Sequence, residues 1–362
     1  MRRPGERLRG RGTGSNPSGR FEPYQVLPLA PDEDGAEEID REEAPAPRTV
    51  VTPEITRTIL TRNDSPDVPF DVSINPYKGC EHGCVYCFAR PTHAWLGLSP
   101  GLDFETRIVS KPDAAERLRD ELRAPGYRCR PIALGTNTDP YQPAERELRI
   151  TRAVLEVLVQ HRHPFSIVTK SDQVLRDLDL LAPMAAENLA CVMLSVTTLD
   201  RDLAGRMEPR AASPYRRIEA IRALSEAGVP VGVLASPMIP GLNDAELERI
   251  LEAAAAAGAR SAGYILLRLP HELKDLFSEW LRTHYPLRAD HVLSLVRDAR
   301  GGALYDARFG SRMRGTGPLA DLLARRFEVA RRRHGLTDRP APLDTGRFRL
   351  PPRPGDQPGL FD

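Results

Sequence analysis

The chain has 362 residues, with 51 Lys and Arg against 50 Asp and Glu, a formal charge of +1. That balance excludes a polyanion binder defined by net charge, so any such reading must rest on local clusters. Hydrophobic residues make up 41% with no run near the roughly 18 apolar residues of a membrane span, which excludes a helical membrane protein and predicts a soluble one. Only Lys78, Lys111, Lys170 and Lys274 are lysines. Such an arginine bias reflects genome composition more often than function and weakens any argument from arginine clusters.

Residues 1–65 begin with Arg2, Arg3, Arg7, Arg9, Arg11 and Arg20 against Glu6, then carry an acidic run from Asp32 to Glu43. A basic arm followed by an acidic one, with Pro and Gly throughout, predicts a disordered tail. A nucleic-acid arm is the functional alternative to a solvated one. From residue 66 to 270, short apolar runs alternate with amphipathic segments, the pattern of βαβ units on a parallel sheet. The expected strands are 72–75, 132–135, 165–169, 190–196, 231–235 and 264–267. The expected helices are 113–123, 145–160, 173–186, 215–227 and 244–257, with Gly228 and Gly258 as C-caps. Each gap between strands from the second onward is long enough for one right-handed crossover helix. The fold class is therefore α/β, a partial (β/α)6 TIM-like barrel, with a doubly wound open sheet as the alternative. Helices near 271–284, 287–299 and 318–334 form a C-terminal helical extension over residues 271–338. Residues 339–362 contain Pro340, Pro342, Pro351, Pro352, Pro354 and Pro358 and predict a second disordered tail.

Five cysteines, an odd number, and no apolar secretory core near the N-terminus argue against a disulfide framework and for a reducing cytoplasm. Three of them, Cys80, Cys84 and Cys87, follow the first strand with the spacing Cys-x3-Cys-x2-Cys. They sit at the carboxyl end of a strand, where βα loops build sites. Three thiolates hold three corners of a 4Fe-4S cubane and leave one iron open for chemistry, whereas a closed cluster normally has four cysteine ligands. Two alternatives stay open. His82 or His93 could complete a Cys3His zinc site, and Cys129 or Cys191 could close the cluster.

With Tyr86 ahead of the last cysteine, this triplet resembles the radical S-adenosylmethionine superfamily. The stretch from Ser73 to Glu105, including Ala89-Arg-Pro-Thr-His93 and Gly97-Leu-Ser-Pro-Gly-Leu-Asp-Phe-Glu105, is similar to its spore photoproduct lyase-like branch, whose members often carry the label of DNA repair photolyase. The resemblance spans about residues 70–335. It implies a 4Fe-4S cluster on Cys80, Cys84 and Cys87, S-adenosylmethionine chelated to the open iron, and cleavage to methionine and a 5′-deoxyadenosyl radical. It also implies an electron donor such as flavodoxin or ferredoxin. Thr138, Lys170 and Ser195, at the carboxyl ends of expected strands, occupy places that resemble cofactor contacts in that branch. Lys170 suits the cofactor carboxylate, and the two hydroxyls suit its polar groups. The loop 237–243 resembles one that lines the adenine side. The lyase returns a hydrogen atom from a cysteine just after the second strand, and 135–140 contains none, so that donor route is not expected here.

Substrate contacts are expected from Glu208, Arg210, Arg268, His271 and Glu272, each with a structural ion pair as the plainer role. From Arg300 to Gly335, nine arginines stand against Asp306, Asp321 and Glu328, with Tyr305 and Phe309 interleaved. That composition suits a nucleic-acid platform, or a solvated helix face. Gln357, Leu360 and Phe361 match the Gln-x-x-Leu-Phe pattern by which bacterial repair proteins dock on the sliding clamp. A metal-stabilised nucleic-acid-binding protein without turnover is the rival to the enzyme.

Overall fold

Apolar runs rich in Val, Ile and Leu, each entered from a helix end, pair side by side because only parallel neighbours and covering helices can hide both of their faces. The computed structural model describes residues 8–22 and 47–350. Its strands are β1 (Val50–Pro53), β2 (Leu60–Arg62), β3 (Val72–Ile74), β4 (Tyr77–Lys78), β5 (Arg107–Ser110), β6 (Ile132–Leu134), β7 (Phe165–Thr169), β8 (Ala190–Ser195), β9 (Val231–Met238) and β10 (Ser261–Leu266). Among the described residues the main sheet has the order β10-β9-β8-β7-β6-β3-β2. All its pairings are parallel except β2 with β3. Six parallel strands in sequence order make the partial barrel. A small sheet, β1-β5-β4, lies beside it.

Alternation divides the strands between two faces. Ile74, Leu134, Ile167, Leu194 and Val233 join one apolar core with the covering helices. Their neighbours Ser73, Ala133, Ser166, Met193 and Gly232 lie on the opposite, concave face. A second core joins Cys84, Val85 and Tyr86 to Leu203, Met207, Phe277 and Trp280. The helices Leu273–His284 and Ala289–Asp298 therefore close the barrel against the cysteine loop. Burying Phe277 or Leu281 completely contributes roughly 1.5–3 kcal/mol each. The helix Pro318–Arg333 packs instead on β10 and on Leu247–Ala256.

The expected helices form with three breaks, one of them in segment 244–257, which opens as a 3-10 turn, Asp244–Glu246, before the α-helix Leu247–Ala256. Segment 145–160 divides at Arg149, which is left-handed at φ 50°, into Glu145–Leu148 and Ile150–Gln160. The Glu145 carboxylate accepts the amides of Thr151 (3.1 Å) and Arg152 (3.3 Å), so it satisfies first-turn donors of the second helix in place of a continuing backbone. Segment 173–186 opens as a 3-10 turn, Asp172–Asp177, before the α-helix Leu178–Ala186. Gly228 and Gly258 end their helices with φ 78° and 98°.

The tail boundary expected at residue 65 is corrected. Residues 8–22 cross the barrel mouth with Arg11 and Thr13 buried, and 47–65 contribute β1 and β2. Buried polar partners elsewhere in the chain outweigh the low local hydrophobicity that suggested disorder. At the other end, residues 339–350 run along the surface. Asn188 Nδ2 donates to Pro342 O (2.9 Å), and Arg349 N donates to His161 O (3.0 Å). Gln357, Leu360 and Phe361 lie outside the described residues. No helix of the described residues is long and apolar enough to cross a membrane.

Phe348 packs on Tyr127 and His163 at 5.5 and 5.3 Å. The buried His163 ring pairs with Pro164 O through Nδ1 (3.0 Å) and with the Tyr127 hydroxyl through Nε2 (2.6 Å). Both partners are satisfied by the neutral ring, and burial lowers its pKa from 6.5 to about 4. Above pH 6.5 the ring is neutral whether folded or unfolded. Between pH 6.5 and 4 only the unfolded chain takes up the proton, so stability falls by on the order of 3 kcal/mol. The difference in unfolding free energy between wild type and His163→Gln should shrink by that amount from pH 7 to 4.5. Parallel pH profiles would contradict this account.

Candidate cofactor site at the mouth of the barrel

The loop that leaves β3 is built from tight turns. Gly79 has φ 80°, and a Cβ there would meet His93 Cε1 at 2.8 Å, so both its conformation and its surroundings require glycine. Cys80 N donates to Phe104 O (2.9 Å), Cys87 N to Cys84 O (3.2 Å), and Val85 N to Met207 O (3.0 Å). Carbonyls of the loop are collected by Arg90, which is completely buried. Its guanidinium donates to Cys84 O (2.8 Å), Gly83 O (3.1 Å), Gly101 O (2.8 Å) and Glu105 Oε1 (2.5 Å). Glu105 is as buried as its partner.

The segment 8–22 is tied to the same carboxylate. Glu105 accepts Gly12 N (2.9 Å) and Thr13 N (3.1 Å), while Arg11 Nη1 donates to Glu105 O (2.9 Å). A Cβ on Gly12 would run into Gly83 O, so the strap lies directly on the cysteine loop. Arg20 and Glu272 (2.9 Å) and the tilted ring pair Phe21 and Trp95 (4.3 Å) fasten its far end.

All five cysteines are free thiols. Cys80 and Cys84 are buried and Cys87 is partly exposed. Burial raises the pKa of each of the three. At Cys80, Asp139, Cys84 and Cys87 add to the rise; at Cys84 and Cys87, Lys170 opposes it. Cys84 and Cys87 thus lie in the field of one ammonium, and Cys80 in the field of both thiols. Backbone donors already point at two of the sulfurs, from Asp139 to Cys80 and from Ala89 and Arg90 to Cys87. Among the described residues no three His, Cys, Asp or Glu side chains are grouped as ligands to one ion would be. A cubane spreads its three corner ligands over separate irons and does not need that convergence. Three soft donors short of positive charge, with amides aimed at them, fit an iron–sulfur cluster.

Neighbouring strands bring the other expected residues to this mouth. Thr138 follows β6 and donates through Oγ1 to Tyr77 O (3.1 Å), so that hydroxyl also braces the loop. Lys170 follows β7 with Nζ 5.7 Å from the centre of the Tyr86 ring, and no carboxylate pairs with it among the described residues. Ser195 ends β8, where its carbonyl accepts Arg217 Nη1 (3.0 Å). Beside them the Asp139 side chain is largely buried. Burial would raise its pKa, but His82 Nδ1 at 3.4 Å, the Thr169 hydroxyl (2.7 Å) and Lys170 N (2.7 Å) outweigh that and hold it at about 2. A chain of buried groups continues from the Tyr86 hydroxyl to Thr197 Oγ1 (3.1 Å), Glu208 Oε1 (2.5 Å) and Arg217. Burial raises the Glu208 pKa against the opposing pull of Arg217.

Several expectations resolve to structural roles. Glu208 pairs with Arg217, Arg210 with Glu81 (3.0 Å) and Glu272 with Arg20. His82 is turned to Asp139, and His93 Nε2 to Arg107 O (3.0 Å). Cys129 stands 3.6 Å from His163, ahead of β6, and Cys191 is near the start of β8, both at the end of the barrel away from the mouth. In the loop 237–243, Asn243 is buried and binds Thr197 O (2.7 Å) and Pro237 O (3.0 Å). The arginine-rich segment is partly committed to the fold. Arg300 donates to Leu266 O and Leu267 O, Arg308 pairs with Asp306, Arg312 with Asp67, Arg326 with Glu248, and Arg331 and Arg332 with Glu328. Arg314 stacks on Tyr264 at 4.3 Å. The groups that sequence reasoning missed are Arg90, Glu105 and Arg217. Ordinary charged residues in helices and loops carry no local sign that they will be buried.

The Radical SAM superfamily profile matches residues 74–254, half of the chain. An uncharacterized protein of Mycobacterium tuberculosis is 38% identical over 232 residues, covering 64% of this chain and 68% of that protein. One of Methanocaldococcus jannaschii is 32% identical over 173 residues, covering 48% and 62%. Spore photoproduct lyase complexed with dinucleoside spore photoproduct has the same fold, with a TM-score of 0.56 at 16% identity, covering 80% of this chain and 81% of that one. A parallel partial barrel with this loop at its mouth defines the class of radical enzymes. The chain belongs to the radical SAM superfamily. That family uses a 4Fe-4S cluster and S-adenosylmethionine.

Proposed function

We propose that Cys80, Cys84 and Cys87 hold a 4Fe-4S cluster and that Thr138, Lys170 and Ser195 hold S-adenosylmethionine beside it. The observation that carries this reading is the mouth itself, where the free thiols of Cys84 and Cys87 lie in the field of Lys170, which has no carboxylate partner among the described residues, and Cys80 lies in theirs. When bound, the cluster supplies the electron that cleaves the sulfonium into methionine and a 5′-deoxyadenosyl radical, which abstracts hydrogen from substrate. Lys170 is placed to pair the cofactor carboxylate, and Ser195 to bind a polar group of the adenosyl portion. Arg90 and Glu105 fix the carbonyls of the loop, and the strap over it keeps water from the thiolates. Free thiols in this number suit a reducing cytoplasm, where a small carrier such as flavodoxin or ferredoxin supplies electrons. A nucleic-acid substrate is supported by the fold shared with a lyase solved with a dinucleoside lesion.

Anaerobic reconstitution with iron and sulfide, followed by dithionite and S-adenosylmethionine, tests the proposal. About four irons per chain and release of 5′-deoxyadenosine are expected. Zinc in the isolated protein, with neither cluster nor cleavage after reconstitution, would favour a metal-stabilised binding protein instead.

A further inference from the structure

A second unpaired cation stands across the mouth from Lys170. Arg268 follows β10, the last strand of the barrel, and its guanidinium lies 5.1 Å from the centre of the Phe88 ring, one residue beyond Cys87. Its Nε is buried without a hydrogen-bond partner, and its Nη1 reaches only the Met313 sulfur at 3.4 Å. Among the described residues no carboxylate pairs with it. Arg300 is close enough for the two positive charges to repel, and its donors are spent on backbone carbonyls. A half-buried cation beside another cation, with an orphaned N–H, calls for an anion from outside the chain. Phe88 is 43% exposed, so an apolar aromatic surface adjoins the charge.

We propose that Arg268 and Phe88 form a nucleotide subsite at the barrel mouth, the guanidinium binding a phosphate oxygen and the ring packing against a base. The fork of a guanidinium matches phosphate, and an aromatic face accepts any base by stacking. Lys170 is engaged by the cofactor carboxylate in the proposed function, which leaves Arg268 for substrate. The subsite rests on that reading for its place beside the radical, though not for its binding chemistry.

The test uses the full chain with its cluster reconstituted and S-adenosylmethionine present, and measures equilibrium dialysis of thymidylyl-thymidine dinucleotide, thymidine and tri-glutamate. Wild type should bind the dinucleotide at least about tenfold more tightly than thymidine. Arg268→Gln should lose about ten- to a hundredfold of that affinity with iron content and melting temperature preserved, and Arg268→Lys should recover part of it. Phe88→Ala should weaken dinucleotide and nucleoside alike. Equal binding of dinucleotide and thymidine, tri-glutamate binding as tight as the dinucleotide, or an Arg268→Gln variant that binds like wild type would each overturn the subsite. Arg268-dependent binding without any 5′-deoxyadenosine formation would leave the subsite standing and remove the radical reading. Cofactor cleavage without Arg268-dependent binding would do the reverse.

Discussion

Replacing Cys84 by alanine is expected to reduce cluster iron from about four per chain to background, while Cys191→Ala keeps it. Both cysteines are buried free thiols, so burial and oxidation state alone do not distinguish them. Their surroundings do. Cys84 shares a field with Cys87, Lys170 and Glu208, and its loop carbonyl is held by Arg90. Cys191 is raised to about 11 by burial alone, with no cation or second thiol beside it. It behaves as a small apolar residue whose loss costs about 1 kcal/mol of packing. Iron and sulfide assays on the two reconstituted variants give the comparison, with melting temperatures to confirm that both fold. Equal iron in the two would remove the cysteine assignment.

Glu105→Ala is expected to destabilise the protein by about 3–5 kcal/mol, because it leaves the completely buried Arg90 guanidinium without its counter-charge. The same carboxylate holds the amides of Gly12 and Thr13, so its loss also frees the strap. Denaturant unfolding reads the first effect, and hydrogen exchange at those two amides reads the second. A loss below about 1 kcal/mol with unchanged exchange would show that the pair is not the tie between strap and loop. Glu105→Gln keeps one acceptor oxygen, enough for one of the two amides, and should lie between wild type and Glu105→Ala. The strap also predicts an order of events under stress. Its amides should lose protection before the core strands do, since it is held by a few polar contacts and little apolar burial.

The barrel was legible because its strands are local apolar runs of the right length. Phe165–Thr169 is bounded as expected, and the other five expected strands differ at their ends by one to three residues. Periodicity also located the helices. It did not locate their breaks, because Arg149 turns left-handed only in response to where the Glu145 carboxylate sits after folding. The candidate thiols were legible as well, since three cysteines within eight residues at a strand end have the spacing of a metal or cluster loop. Which of the arginines from 300 to 335 pair within the fold was not legible, for the converse reason. Composition reports how many charges there are, whereas Asp67 and Glu248, which pair with two of them, are distant in sequence.

By itself the sequence determined the succession of six parallel strands, their crossover helices, and the cysteine spacing at the end of the first strand, all of them properties of short stretches read one at a time. Only the tertiary structure decided that residues 8–22 belong to the fold, that Arg90 and Glu105 are a buried pair beneath the loop, and that Arg268 remains without a carboxylate. Each of those depends on partners outside its own local segment, from 15 to 252 residues away in the case of Arg90 with Glu105 and Arg20 with Glu272, and a charged side chain is exposed, paired or left vacant according to what the completed fold brings against it.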